Sequence, residues 1–169
     1  MITVGAGVGG GLVVHDQLVN GPHGRAGMIG HTVVDPGGRA CHEDHRGCAA
    51  QTLTNAALAA QISDAVGRPV GADEGIALAE DEPVVERVLQ HASRCLGRLG
   101  GSVANLADPE RILLSGEGIG WVRDDGLERG LAETRYDHVA STPVIRQQID
   151  MYEWARGAAA DALRSYVLA

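Results

Sequence analysis

The chain has 169 residues, 44% of them apolar, which is enough for one buried core and short for two. Its formal charge of −8 argues against a nucleic-acid surface, which needs clustered cations, and no run of about 18 apolar residues is present to span a membrane. All fourteen cations are arginine, so a Walker-type phosphate lysine and a Schiff-base lysine are both excluded.

The first stretch, VGAGVGGGLVV (residues 4–14), holds five glycines between Gly5 and Gly11. Such density implies backbone that takes positive φ or lies very close to something. It fits a tight strand-to-strand turn, or a loop whose amides face a phosphate or a sugar. The GxGxxG spacing of Gly5-Ala6-Gly7-Val8-Gly9-Gly10 has no strong strand before it and a strand, not a helix, after it, so a Rossmann dinucleotide site fails its context. Residues 11–18 read as a strand with a turn near Asp16-Gln17, and residues 20–27 as a loop rich in Gly and Pro. Residues 28–34 read as a further strand, broken by Asp35-Pro36-Gly37-Gly38, and residues 41–48 are polar, histidine-rich and irregular.

Residues 49–66 carry apolar side chains at helical spacing (Leu53, Ala57, Leu58, Ile62, Val66) until Gly67 and Pro69 end them. A short helix is expected over 72–80. A long one opens at Pro83 and is carried by Val84, Val88, Leu89, Ala92, Cys95, Leu96, Leu99 and Val103. Gly97, Gly100 and Gly101 weaken that helix intrinsically, so another element is expected to pack closely against them. A buried strand in residues 108–118, a helix over 124–134, a strand over 143–147 and a last helix over 151–168 complete the order. The alternation indicates α/β. Four strands, at 12–15, 29–34, 111–114 and 144–145, are expected in one mixed sheet flanked by helices. No repeat or linker divides residues 1–169, which form a single domain. Cys95 is expected in the core, His15 in a hairpin, His91 and His138 at the surface or partly packed, and Trp154 in packing.

Taken together, residues 4–31 resemble the signature of the ROK family (repressors, open reading frames and sugar kinases). The matching parts are Gly7-Val8-Gly9, Gly11-Leu12, Gly21 and Gly27-Met28-Ile29-Gly30-His31. The likeness continues through Val33-Val34-Asp35-Pro36, residues 41–48 and 105–118, and the close Trp154-Ala155-Arg156-Gly157-Ala158-Ala159. The resemblance implies the C-terminal lobe of an actin-like, ribonuclease-H-like fold, in which Gly5, Ala6 and Gly7 approach nucleotide phosphates and His31 belongs to a sugar site. Ala6 stands where the family has a hydroxyl. Met28 and Ala50 stand where family kinases carry glutamates, so several hydrogen bonds to sugar hydroxyls, each worth about 1 kcal/mol or more, are expected to be missing.

Family kinases also carry an N-terminal lobe with an Asp-x-Gly phosphate loop and a general-base aspartate, and neither falls within these residues. The expectation is therefore a chain without enzymatic activity. On that expectation it is the effector-sensing and dimerising lobe of a ROK transcriptional regulator, cytoplasmic, a homo-oligomer, responding to a sugar or sugar phosphate and touching no nucleic acid itself. Half of a ROK sugar kinase, and a zinc-stabilised interaction module, are the alternatives. Family members often hold a structural zinc with one histidine and three cysteines. Here the matching residues are His31, Cys41 and Cys48, with Glu43 in place of the middle cysteine and His42 or His45 as alternative fourth ligands.

Overall fold

The computed structural model describes residues 1–136 and 142–167. His138 and Leu168, both included in the expectations above, lie outside the described residues. The chain folds as α/β, with a mixed sheet flanked by helices.

The first strand, β1 (Ile2–Val4), is central, and it precedes the glycine cluster where no strong strand was expected. Three residues are too few to display a period, yet Ile2 and Val4 are each only 1% exposed. β1 pairs antiparallel with β2 (Val8–Gly10) and parallel with β5 (Ile112–Ser115), and β6 (Val144–Arg146) joins β5 in parallel. The order is β2-β1-β5-β6.

Two expected members of this sheet lie elsewhere. The expected strand over 12–15 becomes a separate hairpin of β3 (Val13–Val14) and β4 (Gln17–Leu18), turned by His15 at φ 51° and Asp16 at φ 61°. Two successive left-handed residues make the tight turn whose twist suits a two-residue hairpin. Its valines are exposed, so it adds nothing to the core. Residues 29–34 form turns, with one isolated bridge from Val33 to Cys48. Gly27, at φ 87°, lies so near β2 that a Cβ there would sit 1.9 Å from the Gly10 carbonyl. The carbonyls of Gly30 and Thr32 then accept from Ala50 and Ala49, at the start of the next helix. Local bonding therefore satisfies backbone that a ladder would otherwise have used.

The expected helix over 49–66 is two helices, α1 (Ala49–Leu53) and α2 (Asn55–Val66). Thr54 separates them in extended conformation, and its hydroxyl accepts from the Ala57 amide as an N-cap. α3 (Ala72–Ala77) runs on as a 3-10 turn through Glu80, and α4 (Pro83–Ala107) opens on its proline as expected. α5 (Asp124–Thr134) packs against the glycines of α4, and α6 (Met151–Val167) is exposed at each described position. Buried side chains of β1, β5, α1, α2, α4 and α5, with Trp121, form one core cluster, and Cys95 lies within it.

Candidate functional site

β1 and β2 are joined by Gly5-Ala6-Gly7, whose Gly5 amide donates to the Gly7 carbonyl at 3.0 Å. The turn is held from behind. The amide of Asn55, at the start of α2, donates to the Gly5 carbonyl at 2.9 Å, and that of Gly118 donates to the Val4 carbonyl at 3.1 Å. Gly116, at φ 117°, is required there, because a Cβ would lie 2.2 Å from the Val4 carbonyl oxygen. Ala6 and Gly7 themselves face solvent.

This turn opens on a cavity of ≈ 830 Å³, lined also by Glu117, Asp150, Met151 and Trp154. Trp154 is 46% exposed there, so it is a wall of the cavity and not the packing residue expected from sequence. The Ala6 amide donates to Glu117 Oε1 at 3.2 Å. Sequence reasoning missed Glu117. Its position between Gly116 and Gly118, just beyond a buried strand, was the available signal.

The second cluster lies in the loop before α1. Cys41 and Cys48 are buried, and His31 Nδ1 lies 3.5 Å from Cys41 Sγ. His31, Cys41, His45 and Cys48 each offer a ligand atom, all within 4.8 Å of one another. The fourth member of this cluster is His45, not Glu43, whose carboxylate pairs outward with His42 Nε2 at 3.4 Å. The cause is Asp44, which takes φ 56° between them. That left-handed step, tolerated by Asp more than by most residues, turns the chain so that Glu43 and His45 face opposite ways.

His45 Nε2 is buried and has no hydrogen-bond partner, whereas its Nδ1 meets the Glu43 carbonyl at 3.1 Å. Burial, and then the neighbouring Cys41, pushes the Cys48 thiol above its ordinary pKa, partly offset by backbone amides of Gln51 and Ala50. The three cysteines are all free thiols. Met28, at 73% exposure, projects into solvent, and Ala50 is tied through its amide to the Gly30 carbonyl beside His31.

The family model for ROK matches residues 1–148. The chain belongs to the ROK family. It is 33% identical to an N-acetylmannosamine kinase of Vibrio vulnificus over 122 residues, 72% of this chain and 41% of that protein. A second N-acetylmannosamine kinase, from Citrobacter koseri, is 34% identical over 151 residues, 86% of this chain and 48% of the relative. Among solved structures, a ROK hexokinase from Thermus thermophilus matches with a TM-score of 0.75 at 27% identity, over 86% of this chain and 51% of that one. A ROK transcriptional regulator, a homologue of the E. coli MLC protein, matches with a TM-score of 0.79 at 25% identity, over 94% of this chain and 43% of that one.

These relatives overturn the expectation that the chain is not an enzyme, because curated proteins at 32–34% identity are named kinases. That expectation rested partly on elements outside these residues. The chain spans less than half the length of the two N-acetylmannosamine kinases, so nothing follows from elements that their remaining length would supply. The other grounds, Ala6, Met28 and Ala50, are three local substitutions on a family scaffold.

Proposed function

We propose that this chain is the lobe of a ROK-type kinase that binds the nucleotide phosphates and contributes to recognition of an N-acetylated hexose. The observation that supports it most is the Gly5–Gly7 turn, side-chain-free at both glycines, facing the ≈ 830 Å³ cavity walled by Trp154. Phosphoryl transfer depends on positioned donors and electrostatics, and backbone amides in a glycine turn supply both to phosphate oxygens. Trp154 offers an aromatic face to a nucleobase. Met28 and Ala50 leave the sugar with fewer carboxylate partners, so weak sugar affinity is part of this reading.

The test is ATP-dependent phosphorylation of N-acetylmannosamine by the native protein, followed by coupled ADP release. Saturable turnover that prefers the N-acetylated sugar to glucose is the expected result. Tight sugar binding without turnover on any hexose would favour a second reading, the sugar-responsive lobe of a ROK regulator. That reading is favoured by the match to the MLC homologue over 94% of the chain. Self-association belongs to both readings, and sedimentation at high micromolar concentration should show a dimer.

Glu117 supplies a sharper prediction. Its carboxylate takes up the Ala6 amide that a phosphate would need, and it adds a like charge beside that phosphate. Glu117→Gln is expected to tighten binding of a non-hydrolysable ATP analogue about tenfold, or about 1.4 kcal/mol, by calorimetry. Unchanged or weaker binding would place the phosphates elsewhere.

The loop cluster fits zinc. Two thiols and two imidazoles match a closed tetrahedral set, the 3.5 Å between His31 Nδ1 and Cys41 Sγ approximates the roughly 3.6 Å that zinc bond lengths impose, and the buried Nε2 of His45 lacks any other partner. His31, Cys41, His45 and Cys48 would hold the ion. Its chemistry there is structural, because four protein ligands leave no position for water.

A further inference from the structure

A second group of metal-ligating side chains lies outside both regions described so far. Asp35 follows the strand-like segment that enters the loop, while His91 and Cys95 sit one helical turn apart on α4. Residues at i and i+4 share a helix face, so the pair is a preformed two-point chelate. His91 Nε2 lies 3.0 Å from Asp35 Oδ2 and 3.7 Å from Cys95 Sγ, and the three donor atoms all fall within 4.8 Å. Tetrahedral zinc holds a nitrogen and a sulfur ligand roughly 3.6 Å apart, close to the separation already present.

One detail distinguishes a metal site from a nucleophilic relay. A Cys–His–Asp relay uses one imidazole nitrogen toward the thiol and the other toward the carboxylate. Here a single nitrogen, Nε2, faces both. Such convergence suits three donors around one cation. Burial, reinforced by Asp35, pushes the Cys95 thiol up to about 11, so without a cation it stays protonated and a poor nucleophile. The nearby cations do not compete for the carboxylate. Arg94 and Arg98 pair with Glu133 of α5 at 2.5 and 3.0 Å, and Arg98 also donates to the Val34 carbonyl at 2.9 Å.

We propose that Asp35, His91 and Cys95 form a second site for zinc or a similar borderline divalent cation, with three protein ligands and one position open to water. On binding, the Cys95 thiol gives up its proton, and the carboxylate and thiolate together balance the ion's two charges. Access is through the imidazole of His91, 43% exposed, above the fully buried cysteine. The ion ties the loop to the long helix, because Asp35 also donates its amide to the Gly47 carbonyl at 2.9 Å, one residue from Cys48. With fewer ligands than the loop cluster and a water in its shell, this is the weaker and more exchangeable site.

The test uses the whole chain, prepared metal-free under reducing conditions, and titrated with zinc alone against a chromophoric chelator. Wild type is expected to bind one equivalent more than His91→Ala, with that equivalent the weaker. Asp35→Asn, nearly isosteric, should weaken the same equivalent at least tenfold. Cobalt(II) added as the last equivalent should show the charge-transfer band of a single thiolate. Circular dichroism confirms that each variant is folded, and the exposed position of His91 makes its variant the decisive one. Equal stoichiometry and affinity in wild type and His91→Ala would overturn the proposal. Loss of the tighter equivalent alone in His91→Ala would overturn it too.

Discussion

Cys48→Ser, or exhaustive chelation, is expected to lower the melting temperature by roughly 6–12 °C, from a loss of about 3 kcal/mol at about 2–4 °C per kcal/mol for a chain of this size. The loop over residues 33–48 is held by two isolated bridges, Val33 to Cys48 and Ala40 to Arg46, with a few backbone bonds. No regular ladder supports it. Cys48 is fully buried at the N-cap of α1, with its thiol in the cluster beside Cys41 and near the backbone amides of Ala50 and Gln51. A metal that binds only the folded loop contributes its binding free energy to folding. The two treatments should add little, because both remove the loop-cluster ion and chelation of Cys48→Ser has only the weaker Asp35–His91–Cys95 ion left to remove. Melting curves that coincide with and without chelator, in protein never exposed to chelator before, would remove zinc from this loop.

Gly130→Ala is expected to cost about 3 kcal/mol in urea unfolding, at the upper end of ordinary overpacking. α4 and α5 meet on glycine. A Cβ at Gly130 would lie 1.9 Å from the Arg94 carbonyl oxygen, one at Gly97 would lie 2.2 Å from that of Leu127, and one at Gly126 would lie 2.6 Å from that of Gln90. In each case the obstacle is backbone, which no rotamer change can clear, so the helices must separate. The sign is diagnostic, because alanine for glycine within a helix otherwise stabilises by up to about 1 kcal/mol. Gly157 of α6 has nothing near its missing Cβ, and Gly157→Ala should raise stability by about that much. If both substitutions stabilise, the close seam between α4 and α5 is wrong.

That seam was legible in the amino-acid sequence. Gly97, Gly100 and Gly101 interrupt an otherwise strong apolar stripe, which makes sense only if something approaches closely. α4 was legible for the same kind of reason, since a proline start and a long 3.6-residue period are local signals, and the Asp124-Asp125 pair marks the start of α5. Cys95 in the core and the hairpin at His15 followed from equally local signals. The family was legible in the order and spacing of its glycines, and the structure gives these glycines physical tasks: Gly27 presses on Gly10, and Gly47, at φ 65°, would drive a Cβ into the Asp35 carbonyl.

What only the tertiary structure decided concerns short strands and side chains brought together from distant positions. β1 is three residues long, and its role comes from pairing with β5, more than a hundred positions away, which no local period encodes. The segment over 29–34 has strand-like composition, but Gly27 turns it so that its carbonyls are used by α1. The choice of His45 over Glu43 rests on the left-handed conformation of Asp44, a single dihedral that reverses which side chain points inward. Glu117 joins the glycine turn because β5, just before it, pairs with β1, and Trp154 because the start of α6 lines the same cavity. Asp35 meets His91 across 56 positions, and Cys95 one helical turn further on. Sequence alone determined the long helix α4, the close approach to its glycines and the family, because these depend on local periodicity and on backbone freedom, whereas the break at Thr54 between α1 and α2 was not legible. The sheet order, the fourth member of the loop cluster and the second triad depend on which surfaces close against each other, and that is decided by burying one common core.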